Sequence, residues 1–145
     1  MRFRTGLAAA AAMLLVLSSA PRAATVSKKL AFERDKDIVV NLASEGVELK
    51  SVRFSITGGT SLNPLRSGSG PQALIDIKNV SDHGMHVAAA VAFFDAAGNL
   101  VGAAEGNNIG TLDPGEPNTI KITMSFVKRA MPDAKTFQIA LETWR

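Results

Sequence analysis

The chain has 145 residues, with 16 basic and 13 acidic side chains, two histidines and no cysteine. That length suits one domain, which must hold together without disulfides. Arg2, Arg4 and Arg22 precede Thr25 and no acid does. A chain cut after Ala24 therefore carries equal numbers of both signs, and that balance offers no field for nucleic acid or acidic lipid.

Arg2 and Arg4 stand before an apolar run from Leu7 to Leu17, and Ser18-Ser19-Ala20 follow it. Basic, then apolar, then small is the plan of an export signal, and the run is short for a transmembrane helix. Cutting after Ala20 satisfies the small-x-small rule but leaves Pro21 next. Cutting after Ala23 or Ala24 puts Pro21 or Arg22 three places back. The expected cleavage window is therefore Ala20 to Ala24, giving a signal peptide over 1–24 and a single domain over 25–145. Arg2 and Arg4 are not adjacent, which argues against a twin-arginine signal. With no cysteine at the junction, no lipid can be attached there. The mature chain is expected in the periplasm or outside the cell, with no stable membrane anchor.

Thr25 to Glu33 reads as a short edge strand through Leu30 and Phe32, its paired lysines protecting the edge. Arg34-Asp35-Lys36-Asp37 is a charged turn, and Ile38 to Leu42 an apolar, β-branched strand. Val47 to Thr57 is longer. Val47 and Leu49 share one parity, while Val52, Phe54 and Ile56 share the other, so the phase slips near Ser51. Such a slip predicts a β-bulge or a bend between sheets. Gly58 to Gln72 is the largest loop. It is either a solvated connection or a binding loop in which Leu62, Leu65 and Arg66 make the contacts.

From Leu74 to Val80, Ile75 and Ile77 alternate with Asp76 and Lys78, the pattern of a half-buried strand. Asn79 to Gly84 supplies turn formers. His86 to Phe94 places Val87, Ala89, Val91 and Phe93 on one face and Ala88, Ala90, Ala92 and Phe94 on the other. Alanine propensity allows a helix here. The flanking turns, the short length and the terminal Phe93-Phe94 pair predict a strand. Neither face is charged, so the expectation is a central strand covered on both sides, by a sheet on one and a loop on the other. Asp95-Ala96-Ala97-Gly98 fits a type I turn, and Leu100 to Glu105 returns from it.

Asp113-Pro114-Gly115-Glu116 has the Pro and Gly placement of a type II turn. Asn118 to Phe126 alternates cleanly through Ile120, Ile122, Met124 and Phe126. Lys128 to Lys135 is a basic connection. Phe137, Ile139 and Leu141 face the core of a last strand, and Trp144 falls on its outer parity. The sum is an all-β, antiparallel sandwich of immunoglobulin-like type, with roughly seven to nine strands.

Asn79, Ser81, the Val/Ala strand, Phe93-Phe94-Asp95, Gly98, Leu100-Val101 and Leu112-x-Pro114-Gly115-Glu116 together resemble the FxLYD-type domain, a small immunoglobulin-like sandwich of bacterial envelope proteins. The similarity runs from Ala73 to Phe126. The usual tyrosine of that family is replaced by Phe94, and the chain has no tyrosine at all. The resemblance implies a fold and an envelope compartment, and it carries over no catalytic residues.

For chemistry, both histidines lie in Asp82-His83-Gly84-Met85-His86. His83, Met85 and His86 form a candidate metal set, since imidazole with thioether suits copper in an oxidising compartment. Against it, His83 fits an ordinary polar turn and His86 an exposed strand start. No serine stands in a nucleophile-elbow motif, and a histidine base would have to come from that one turn; a carboxylate pair could act as in a glycosidase, but so short a chain leaves little room for a cleft, so no enzyme is expected. The Asn79-Val80-Ser81 sequon is explained by turn chemistry alone. Glu105, Asp113 and Glu116 lack calcium-loop spacing. Trp144 is either a plug at the core edge or a partner anchor. The expected function is a non-catalytic interaction or structural module without a cofactor. Its protein partner would be engaged through Leu62, Leu65, Arg66 and Trp144, or through strand addition at an edge. The alternative is a small copper-binding protein built on the Asp82–His86 turn.

Overall fold

A computed structural model describes residues 23–55, 71–124 and 131–145. The period-2 segments all become strands: β1 (Ala24–Ala31), β2 (Asp37–Ser44), β3 (Val47–Ser55), β4 (Gln72–Asn79), β5 (His86–Phe94), β6 (Leu100–Asn107), β7 (Pro117–Thr123) and β8 (Thr136–Trp144). A 3₁₀ turn at Met131–Asp133 precedes β8. The strands form two four-stranded sheets, ordered β1-β8-β5-β6 and β2-β3-β4-β7. Every pairing within these sheets is antiparallel. The protein is therefore an all-β sandwich. The immunoglobulin-like description holds at the level of two facing antiparallel sheets, while the strand order differs from the ABED and CFG grouping of constant-type domains.

The core is filled by inward positions of both sheets. Val47, Leu49, Val52 and Phe54 of β3 meet Val87, Val91 and Phe93 of β5 and Phe137, Ile139 and Leu141 of β8. Phe54 lies at its centre, with ring centroids 5.2 Å from Phe93 and 4.8 Å from Phe137, both edge-on. Phe32 closes the cluster from the β1–β2 link at 5.2 Å from Phe54. Such tilted contacts place the positive ring edge against the negative ring face.

The phase slip read at Ser51 is a bulge: the β3–β4 register shifts between Leu49 and Ser51, so Leu49 and Val52 both reach the core. A second bulge, in β2 between Val39 and Leu42, was not legible in the sequence. It is carried by Asn41 at φ 50°. β2 and β3 are joined by Glu45 and Gly46, with φ of 41° and 85°. Two successive positive φ values are those of a type I′ hairpin turn, which matches strand twist. The Asp113–Glu116 turn forms as expected, closed by the Glu116 N–H on the Asp113 carbonyl at 3.0 Å, with Gly115 at φ 79°.

Asn79, at the end of β4, ties three segments together. Its side chain is fully buried and all of its hydrogen-bonding capacity is used. Nδ2 donates to the carbonyls of His83 and Leu112 at 2.7 and 2.8 Å. Oδ1 accepts from Ser81 N–H at 2.9 Å and from its hydroxyl at 2.6 Å. The Asn-x-Ser triplet is thus a structural clamp, and its amide is sealed from any modifying enzyme once the chain has folded.

Candidate functional site

The two outer faces of the sandwich differ in chemistry. On the β2-β3-β4-β7 sheet the cross-strand rows carry charge: Asp37, Arg53 and Lys121 share one row, and Glu48 and Lys78 another. Asp76 is held there by Ser51 and Thr119 hydroxyls at 2.9 and 2.7 Å. This is an ordinary solvated face. On the β1-β8-β5-β6 sheet the register sets Ser27, Ala140, Ala90 and Glu105 in one row, and Thr25, Glu142, Ala88 and Asn107 in the next. The centre of that face is alanine.

This corrects the expected covering of β5. Its inner face is buried by the opposite sheet, but Ala90 on the outer face is exposed, and Ala88 and Ala92 are half-buried. An uncharged face is not necessarily a covered one. An alanine side chain offers little area to bury, so exposing it costs little.

Larger side chains frame the alanine floor. At one end the Trp144 and His86 rings stack, with centroids 5.6 Å apart and planes 17° from parallel. The two are direct cross-strand partners, and both point outward. At the other end Lys29 Nζ lies 4.7 Å from the Phe94 ring centroid, within cation–π range. Glu142 and Glu105 flank the floor on β8 and β6. With Ala88, Ala90, Ala140 and Trp144 they line a shallow depression of about 590 Å³. Small side chains set its depth, one aromatic stack forms its wall, and two carboxylates give it negative charge.

The sequence candidates fare unequally. Trp144 belongs to this face, half-buried rather than plugging the core. Leu62, Leu65 and Arg66 lie outside the described residues. The proposed metal donors are not brought together. Met85 is fully buried in the core, where its backbone exchanges two hydrogen bonds with Leu112 at 2.8 and 3.0 Å. His86, the next residue, points to the opposite side of the sheet, as strand alternation requires. His83 remains in the turn, its Nδ1 2.7 Å from Asp82 Oδ1, with Nε2 shielded and without a protein partner among the described residues. The hydrogen bond from His83, followed by the turn's own backbone, holds the Asp82 carboxyl below its usual range. No group of three or more His, Asp or Glu side chains converges among the described residues.

Ala88, Ala90, Ala140, Glu105 and Glu142 were not singled out by sequence reasoning. The parity of each strand was legible, but their assembly depends on β8 lying between β1 and β5. That is a long-range pairing with no local signature. No protein-family model matches the chain, and no curated protein matches it.

Proposed function

We propose that this chain is a non-catalytic, exported β-sandwich that serves as an interaction module of the bacterial envelope or extracellular space, with the outer face of the β1-β8-β5-β6 sheet as its recognition surface. The observation that carries the reading is the contrast between the two faces. One is an ordinary charged surface; the other is an alanine floor walled by Trp144–His86 and flanked by Glu105 and Glu142. A half-buried tryptophan beside a shallow apolar floor is the composition of an interaction hot spot. The two carboxylates define the occupant's chemistry: a protein segment that lays small apolar side chains on the floor and presents a lysine or arginine between Glu105 and Glu142.

Export rests on the Arg2-to-Ala24 leader pattern. The FxLYD-type resemblance between Ala73 and Phe126 fits the same compartment and a non-catalytic role. The test is binding of the purified chain to envelope proteins from its own source, compared with Trp144→Ala and with the charge reversals Glu105→Lys and Glu142→Lys. A partner lost in all three variants supports the reading. A partner retained in all three removes this face from the account.

A further inference from the structure

Among the described residues the two open sheets have four edge strands, and an unprotected edge is a template for another strand. Three of the four carry recognisable protection. β1 has Lys28 and Lys29, and Lys28 Nζ also stitches the edge to the Val40 carbonyl of β2 at 2.6 Å. β2 is broken by its bulge and by Asn41 in the left-handed region. β7 is the shortest strand among the described residues, opens with Pro117 and carries Lys121.

β6 has neither lysine nor proline, and its chief neighbours outside the sheet ladder are β7 across the sandwich and the Met131–Asp133 turn among the described residues. Its sequence is LVGAAEGN, with Glu105 as the single charge. Its bulge is confined to the first residues, and Gly102 to Asn107 pair with β5 without a break. Among the described residues no strand lies on its outer side.

The hydrogen-bond phase identifies which groups face outward. Asn108 N–H donates to the Val87 carbonyl of β5 at 2.9 Å. In an antiparallel ladder bonding alternates along the strand, so Gly106, Ala104 and Gly102 also bond to β5. Ala103, Glu105 and Asn107 therefore turn their N–H and C=O groups to the open edge.

We propose that β6 pairs antiparallel with β6 of a second copy of this chain, about a two-fold axis through Ala104, making one continuous sheet from two four-stranded ones. In that register Ala103 and Glu105 of one copy exchange bonds with Glu105 and Ala103 of the other. No like charges are directly opposite, the two Glu105 side chains being diagonal neighbours, and the alanine floors of the two copies approach across the seam. A foreign strand would gain the same bonds. The two-fold arrangement satisfies two unprotected edges at once through one self-complementary patch, and balanced charge after the leader favours association. The pairing rests on the interaction-module reading only in giving the edge a use.

Sedimentation equilibrium on the chain purified from cells expressing all 145 residues tests it, against Ala103→Pro and Ala103→Glu. Proline at 103 removes an outward donor and no bond to β5, which edge strands tolerate. Glutamate at 103 faces Glu105 of the other copy twice per dimer and keeps the strand unbroken. A reversible parent dimer is expected, with self-association weakened by about tenfold or more in both variants and far-UV circular dichroism unchanged. If proline unfolds the chain, the glutamate variant alone decides. A parent that stays monomeric, or a dimer of parental affinity in Ala103→Glu, overturns the proposal. A monomeric parent that still loses a foreign partner on Trp144→Ala would overturn the pairing and leave the recognition face in place.

Discussion

Replacing Asn79 tests whether the clamp joining β4 to the 81–85 and 112–116 segments is as important as its geometry implies. Asn79→Ala deletes two donated and two accepted hydrogen bonds. The stranded partners are not all orphaned. The Leu112 carbonyl keeps the Met85 N–H, and Ser81 N–H keeps the Gly46 carbonyl. The His83 carbonyl keeps the Ser81 hydroxyl. The one Ser81 hydroxyl proton then serves the His83 carbonyl, so three bonds are lost net, at about 0.5–1.5 kcal/mol apiece and about 1.5–4.5 kcal/mol together rather than full desolvation. At about 4 °C per kcal/mol for a domain of this size, the midpoint should fall by roughly 6–18 °C. Asn79→Asp keeps the shape but reverses one contact, aiming a carboxylate oxygen at the two carbonyls that Nδ2 serves. A buried, uncompensated charge costs about 3–5 kcal/mol, so aspartate should be worse than alanine at neutral pH. Burial and the carbonyls would raise its folded pKa above the unfolded value. Its protonated form is then the tolerated one. The deficit should be smallest below the ordinary carboxylate range and should grow as pH rises through that range towards the folded pKa. Urea unfolding followed by tryptophan fluorescence, at neutral and at acid pH, measures both. An alanine cost under about 1 kcal/mol, or an aspartate deficit independent of pH, would refute the clamp.

Gly46→Ala should destabilise more than an ordinary surface change, by about 1–3 kcal/mol, because φ is 85° and a Cβ there would sit 2.6 Å from the Ser81 Cβ; thermal unfolding checks it. Asp95 takes bonds from the Asn99 side chain and from Asn99 and Ala97 N–H, and those to Asn99 lower its pKa. Its contribution is therefore present above the unfolded carboxylate pKa and is lost as pH falls through the depressed folded one. Asp95→Ala should accordingly flatten the acid limb of a stability–pH curve. Trp144→Ala should weaken partner binding by about 2 kcal/mol, roughly thirtyfold, with little change in unfolding midpoint. Copper titration should give the same isotherm for the parent and Met85→Leu, since Met85 faces the core; a shift on that substitution would revive the metal reading.

Local rules made much of the fold legible. Alternation in β4 and β8, the Asp113–Glu116 turn and the phase slip at Ser51 all depend on neighbours within a few residues, and all formed as read. Glu45-Gly46 and Asn41 carry positive φ without the usual Asn-Gly signal, so the β2–β3 turn and the β2 bulge were missed. The candidate site was less legible because it is built from register. Ala140 and Glu142 meet Ala90 and Ala88 only because β8 pairs with β5, strands some fifty residues apart in the chain. Met85 and His86 show the opposite case. Closeness in sequence suggested convergence, yet adjacent strand residues diverge, which sends Met85 and His86 to opposite faces.

The recognition face is most directly tested by site-specific photo-cross-linking in cells of the protein's own source. A photoreactive side chain would be placed at Ala90, in the alanine floor, and in parallel at Lys50, exposed on the opposite sheet. The account predicts a discrete adduct from position 90 that disappears on Trp144→Ala, and none from position 50. Equal adducts from both positions, or an adduct at 90 indifferent to Trp144, would contradict it.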